Sequence, residues 1–167
     1  HPPSYDLGHP RRAGLRRKMR RVEQAGVRIT NDGQKMDWPA MDAVNALWIV
    51  DHGGERGFSM GRYTRDYVAR QRVYLAWQND AVIAFITLHE TRGEWTLDLM
   101  RRCPKISDGT MHLLVSRAIK DAKQMGIARL SLAAVPITAF WTFPKPLARF
   151  VQTGRGLRQF KEGFAPE

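Results

Sequence analysis

The chain has a single cysteine, Cys103, so no internal disulfide can form. That excludes a disulfide-stapled secreted domain and points to a reducing compartment. Long apolar runs are missing too. The longest, Ala43 to Val50 and Ala81 to Ile86, fall far short of the roughly 20 residues that cross a bilayer. The histidines, His1, His9, His52, His89 and His112, show no H-x-x-x-H or H-x-x-E-H spacing. Each therefore reads as a stray core or surface histidine, and no metal is expected. A Gly-x-Ser-x-Gly elbow and a Walker loop are also absent. Acidic residues are scarce: 16 Asp and Glu stand against 27 Lys and Arg, for a net charge of +11 and a pI near 10.5. So lopsided a charge makes a polyanion, either nucleic acid or an anionic membrane surface, the first partner to consider. With His1 at its start and no signal peptide, the sequence reads as a fragment of a longer protein.

What is present is ordinary globular material. Of 167 residues, 43% are hydrophobic and 26% charged, enough for one domain or a domain plus an arm. Pro2, Pro3, Gly8 and Pro10 make the first ten residues an arm or loop. A dense basic helix follows, with Leu15, Met19 and Val22 on one face and Arg12, Arg16, Arg17 and Arg20 on the other, ending at Gly26. Val27 to Thr30 reads as a strand and Asp42 to Val50 as a helix. A loop from Asp51 to Gly57 and a short helix from Tyr63 to Arg70 come next. Three strands then meander: Arg72 to Gln78, Ala81 to His89 after an Asn79-Asp80 turn, and Glu94 to Met100. Strict alternation in the third puts Trp95, Leu97 and Leu99 on one face and Thr96, Asp98 and Met100 on the other. The clearest helix starts near Gly109, capped by Ser107 or Asp108. Its stripe is Met111, Leu114, Val115, Ala118, Ile119, Ala122 and Met125. Ile127 to Ala134 is a strand, Ile137 to Pro146 an aromatic loop and Leu147 to Gln152 a helix. Phe160 to Phe164 reads as the start of another strand.

This order implies an α/β domain with a mixed, mostly antiparallel sheet flanked by helices and preceded by a basic helix, which is the order of the GNAT acyltransferase fold. Residues 1–26 form the arm and linking helix, and 27–167 the GNAT-like subdomain. Acetyl-CoA enzymes of that fold cradle pyrophosphate on a glycine-rich turn before the long helix. Here the turn, Arg102 to Thr110, has one glycine and carries Asp108 where a phosphate would sit, which argues against acetyl-CoA as donor. Cys103, without a partnered histidine, reads as an inert thiol.

Several segments resemble a known family. Glu55-Arg56-Gly57-Phe58-Ser59-Met60-Gly61-Arg62-Tyr63 is similar to its EKGFSxGxF segment. Thr96-Leu97-Asp98-Leu99-Met100-Arg101-Arg102 with Gly109-Thr110-Met111 and then Leu113-Leu114 resembles VDLMR…P…GxMxxL. Ser131-Leu132 with Pro136 resembles NLGxAPL, with Ala133 in place of glycine. Gly156-Leu157-Arg158-Gln159-Phe160-Lys161 with Phe164-Ala165-Pro166 resembles GLxxFKxKFxP. The family is the bacterial phosphatidylglycerol lysyltransferases, also called multiple peptide resistance factors, in their C-terminal cytoplasmic domain. The resemblance runs from about Leu15 to the last residue, and the chain stops where the family continues, so the final strands are expected to be truncated.

The resemblance implies an aminoacyl-tRNA-dependent acyltransferase with no cofactor beyond that co-substrate. Such an enzyme moves lysine, in some members alanine or arginine, onto the headgroup of phosphatidylglycerol. It implies a parent chain with an N-terminal GNAT-like subdomain and a transmembrane region, acting at the cytoplasmic face of the inner membrane. By position in the motifs, Asp98, Glu55 and Arg101 are the candidate catalytic residues. Lys161, Arg158 and Trp141 are candidate substrate contacts, and Arg12, Arg16, Arg17 and Arg20 candidate tRNA contacts. Asp98 and Glu55 would hold the aminoacyl ammonium or act as base, while Arg101 and Lys161 would neutralise phosphate. In a regular strand Asp98 and Arg101 face opposite ways, so sharing a site requires a bulge or a strand end; otherwise the two read as a sheet-stabilising salt bridge. Two other functions stand beside this one: an acyl-CoA-dependent N-acyltransferase, and a non-catalytic tRNA- or membrane-binding module. The transferred amino acid, the exact lipid acceptor and the oligomeric state are left open.

Overall fold

The computed structural model describes residues 2, 4–31, 36–54, 61–132, 160, 163 and 164. Sequence expectations for the Asp32-Gly33 turn, the Glu55–Gly57 part of the glycine loop, the aromatic loop 137–146 and the helix 147–152 lie outside these residues. Five strands form one sheet in the order β1 (Arg28–Asn31), β2 (Arg72–Gln78), β3 (Ala81–Glu90), β4 (Glu94–Arg102) and β5 (Arg129–Ser131). Pairing is antiparallel except between β4 and β5, which run parallel. The helices are α1 (Ala13–Gln24), α2 (Trp38–His52), the single turn α3 (Arg65–Val68) and α4 (Thr110–Gln124).

Local signals account for most boundaries. Asn79 and Asp80 turn β2 into β3 with φ of 49° and 58°, the left-handed pair a two-residue hairpin requires and that Asn and Asp tolerate. Helix α2 begins well before the apolar run suggested. The Asp37 carboxylate accepts from the Ala40 N–H and Pro39 sits in the first turn, so the helix is started by its cap. Gly53, at φ 72°, ends it. Neither Ser107 nor Asp108 caps α4: the N-cap is Gly109, at φ 111°, with no side-chain cap. Ser107 instead offers its carbonyl to the Thr110 hydroxyl at 2.8 Å, and Asp108 pairs with Lys18 at 2.8 Å. Phe160 lies in helical backbone and Phe164 in a turn, which corrects the strand expected there.

The sheet is buried on both faces, so β2 and β3 read as nearly continuous apolar runs. Against one face, Leu15, Met19 and Val22 of α1 join Leu113, Leu114, Ala118 and Ala122 of α4 in a cluster with Tyr74, Ile86, Trp95 and Leu97. Against the other, Met41 and Val44 of α2 and Val68 of α3 meet Val73, Leu75, Phe85 and Leu99. Two entries in the α4 stripe change: Leu113 is buried, whereas Met125, beyond the helix end, is 56% exposed.

The alternation expected of β4 fails at one point. Ile86 faces Met100 but Leu88 faces Leu97, so Asp98 and Leu99 together oppose Thr87. This bulge frees the Leu99 amide, which donates to the Thr87 hydroxyl at 3.1 Å. Past it the faces exchange. Leu99 packs on the α2 side and Met100 on the α4 side, the reverse of strict alternation.

Leu114→Ala is expected to lower the unfolding free energy by about 2–5 kcal/mol, because Leu114 is fully buried in the α4 face. Met125→Ala should change it by about 0.5 kcal/mol or less. Chemical denaturation of the two variants checks both.

Candidate functional site

Asp98 stands at the bulge, just past the last β4–β5 pair, Thr96 with Ser131. Its carboxylate is nearly buried, with 11% of the side chain exposed. Oδ2 accepts from the Tyr67 hydroxyl at 2.8 Å and the Gln71 amide at 2.9 Å, and lies 3.5 Å from His89 Nε2. Oδ1 accepts one long bond, from the Gly61 N–H at 3.3 Å. The imidazole closes the group, with Nε2 3.1 Å from the Tyr67 hydroxyl and 3.3 Å from the Gln71 amide. Burial, followed by the Asp98 hydrogen bond and charge, raises the Tyr67 pKa, so its hydroxyl stays protonated as a donor. Among the described residues the Gln71 carbonyl oxygen is buried without a partner, a group that is costly to leave unsatisfied.

Backbone approach makes the cluster possible. A Cβ on Gly61 would lie 2.5 and 2.6 Å from the two Asp98 oxygens and 2.6 Å from the Tyr67 hydroxyl. Only glycine lets this segment cross the carboxylate. Tyr67 is delivered by α3, whose start is capped by the Thr64 hydroxyl accepting from the Tyr67 N–H. The same segment is tied to α2 by Asp42, which accepts from the Tyr63 hydroxyl and the Arg65 guanidinium. Burial opposes ionisation of Asp42, but the bonds from Arg65 and Tyr63 outweigh it and hold its carboxyl below the ordinary range.

The bulge puts Arg101 on the same face as Asp98. Arg101 is 1% exposed, donates from Nε to Asn45 Oδ1 at 2.9 Å, and stacks 3.9 Å over Trp48 of α2. Its guanidinium is therefore a buried wall of the α2 side, and its bonds to Asn45 and Met100 differ from those that hold Asp98. Glu55, Trp141, Arg158 and Lys161 lie outside the described residues.

The four candidate tRNA contacts, Arg12 at the N-cap of α1 and Arg16, Arg17 and Arg20 within it, divide into two pairs. Arg12 donates to the carbonyls of Asp6 and Phe164 and covers the Tyr5 ring at 4.2 Å. Arg16 donates to the carbonyls of Leu7 and His9. Both therefore strap the N-terminal arm to the domain. Arg17 and Arg20 are exposed. Arg16 and Arg20 also line a cavity of about 650 Å³ between the arm, α1, β1 and α4, together with Arg28, Arg117, Lys120 and Lys123. Nearby, α1 covers the start of α4: a Cβ on Gly109 would meet the Lys18 carbonyl at 3.1 Å, and Lys18 pairs with Asp108.

Sequence reasoning singled out Asp98 but missed Gly61, Tyr67, Gln71 and His89. His89 faces Thr96 across the hairpin, so Asp98 is one diagonal step away; register was the available signal. Of the other titratable groups, His112 is a partly buried histidine against Phe160 and Phe164, its pKa lowered chiefly by burial. Burial also pushes the Cys103 thiol up, as suits an inert cysteine. Among the described residues no group of His, Cys, Asp or Glu is arranged to hold a metal ion, and no helix is long and apolar enough to cross a membrane.

The family described as "Phosphatidylglycerol lysyltransferase, C-terminal" matches residues 4–167. The lysylphosphatidylglycerol biosynthesis bifunctional protein LysX of Mycolicibacterium vanbaalenii is 34% identical over 139 residues, covering 79% of this chain and 12% of that protein. Phosphatidylglycerol lysyltransferase of Bacillus subtilis is 31% identical over 184 residues, covering 98% of this chain and 21% of that protein. The chain thus spans about an eighth of the first relative and about a fifth of the second. L-PGS from Bacillus licheniformis shares the fold at a TM-score of 0.81 and 23% identity, over 98% of this chain and 54% of that one. The fold extends to the ribosomal-protein-S18-alanine N-acetyltransferase of Escherichia coli, at a TM-score of 0.51 and 18% identity over 77% and 76% of the two chains, so the architecture is of GNAT acetyltransferase type. With its sequence matched from residue 4 to residue 167, the chain belongs to the phosphatidylglycerol lysyltransferase C-terminal domain family.

Proposed function

We propose that this domain transfers an aminoacyl group, lysyl by the names of its relatives, from a charged tRNA to a hydroxyl of phosphatidylglycerol. It would act as the C-terminal part of a longer, membrane-attached protein. The observation that carries the reading is the Asp98 carboxylate, hydrogen-bonded by Tyr67, Gln71 and Gly61 at the bulge where β4 parts from β5. Burying an anion inside a sheet is costly, and these donors offset that cost and fix the carboxylate in one orientation, as a substrate-binding group requires. An aminoacyl ester brings an ammonium group, and Oδ1, which among the described residues accepts a single long bond, has acceptor capacity left for it.

The start of α4 supports a donor other than acetyl-CoA. Lys18 and its backbone lie against Gly109 and Asp108, where a pyrophosphate would need open N–H groups. The exposed cations Arg17 and Arg20, with the basic cavity beside Arg20, suit the phosphodiester backbone of tRNA. In this reading residues 1–26 dock the tRNA and residues 27–167 carry the transfer, with Glu55, Arg101, Arg158, Lys161 and Trp141 as its further candidate residues beside Asp98 in the reaction.

The decisive experiment follows labelled lysine from charged tRNA into chloroform-extractable lipid on phosphatidylglycerol vesicles, with this chain and with the longer protein that contains it. Transfer that requires charged tRNA is expected, whereas transfer driven by an acyl-CoA instead, or none from any charged tRNA, would overturn the reading. In an active preparation, Asp98→Asn should reduce transfer by about 10²-fold or more. Gly61→Ala should do the same by displacing the carboxylate. Binding of tRNA should weaken linearly on a log–log plot against salt, and Arg17→Ala and Arg20→Ala should each shallow the slope by about 1. Arg12→Ala should instead cost about 1 kcal/mol of stability and leave the slope nearly unchanged, because its guanidinium is committed to backbone carbonyls.

A further inference from the structure

The transfer reaction needs a group that takes a proton from the lipid hydroxyl, and Asp98 is poorly placed to be it. Oδ2 already receives the Tyr67 hydroxyl and the Gln71 amide, with His89 Nε2 3.5 Å away, and Oδ1 is the oxygen assigned above to the aminoacyl ammonium. The carboxylate is also largely enclosed, with 11% of the side chain exposed against 49% for His89. The imidazole is the open member of the pair.

Its orientation is defined on three sides. Nε2 lies 3.5 Å from Asp98 Oδ2, 3.1 Å from the Tyr67 oxygen and 3.3 Å from the Gln71 amide nitrogen. The Tyr67 ring stands edge-on to the imidazole, 5.7 Å between centroids at 77°. Among the described residues nothing hydrogen-bonds Nδ1. Tyr67 spends its proton on Asp98 and the Gln71 amide donates to Asp98 at the shorter distance, so the two oxygens outweigh the one amide donor on the Nε2 side and a proton on Nε2 is favoured there. Nδ1 then carries the free lone pair.

We infer that His89 is the proton carrier of the transfer site, working through Nδ1, with Asp98 as the carboxylate that orients it and Tyr67 and Gln71 as positioning residues. This rests on the transfer reading above. As the lipid hydroxyl oxygen bonds to the aminoacyl carbonyl carbon, its proton passes to Nδ1. As the carbon–oxygen bond to the tRNA ribose breaks, Nδ1 returns that proton to the ribose oxygen, so none is consumed. The logic is that of a carboxylate–histidine pair serving an oxygen nucleophile, with the two ring nitrogens exchanged.

Among the described residues, the titratable groups facing the imidazole are Asp98 from β4 and Tyr67 from α3; Gln71 is neutral. The test uses the longer protein, charged tRNA and phosphatidylglycerol vesicles, with melting curves to establish that each variant is folded. His89→Gln should lower kcat by about 10²-fold or more, with little change in KM. It should also abolish the acid limb of the pH–rate profile, which a merely structural histidine would leave in place. Wild-type transfer with an unimpaired His89→Gln of unchanged pH profile overturns this inference alone; no transfer by the wild type overturns the transfer reading with it. A second measurement needs no activity. Nitrogen-15 NMR of the 167-residue chain should find neutral His89 protonated at Nε2, becoming a mixture of tautomers in Asp98→Asn. A neutral imidazole protonated at Nδ1 overturns the inference.

Discussion

The candidate site depends on one extra residue in β4. Asp98 and Leu99 share a single partner, Thr87, and that irregularity reverses the facing of everything after it. Without it, Arg101 would point to the α4 side. With it, Asp98, Leu99 and Arg101 all address the face covered by α2 and α3. The cost of a bulge is a backbone N–H removed from the ladder, and the Thr87 hydroxyl offsets that cost at the point where it arises. A threonine there is a side chain supplying what the strand pairing gave up.

Around this irregularity the domain arranges its polar groups by depth. Gly61 lets a loop backbone touch the carboxylate, Tyr67 and Gln71 bring donors from the segment after it, and Asp42 fastens that segment to α2. Each bond joins segments far apart in the chain. The cluster is therefore a product of the two-sided sheet, in which α2 and α3 close one face while α1 and α4 close the other.

The basic charge is likewise divided by structure. Arg12 and Arg16 look like their neighbours in sequence, yet both point at carbonyls of the arm and hold it down. Arg17 and Arg20, one helical step away, stay in solvent. Helical periodicity separated a basic face from Leu15, Met19 and Val22, but it carried no information about which arginines meet an arm that folds back. The same limit explains α4, where Leu113 joined the core and Met125 did not: the stripe ran past the point at which the helix ends.

Taken alone, the amino-acid order determined what adjacent residues decide among themselves. The Asn79-Asp80 hairpin, the bounds of β2 and the apolar faces of α1 and most of α4 follow from turn chemistry and period, which act over a few positions. Family membership was also legible, because motif order survives where geometry is invisible. Asp98 stood out as a carboxylate in an apolar strand. The capping of α2 by Asp37, the bulge and the contact of Gly61 with Asp98 across 37 positions were decided only in three dimensions. A strand's facing has a period of two, so one unpaired residue inverts it, and only the register against a neighbouring strand reveals where that residue lies.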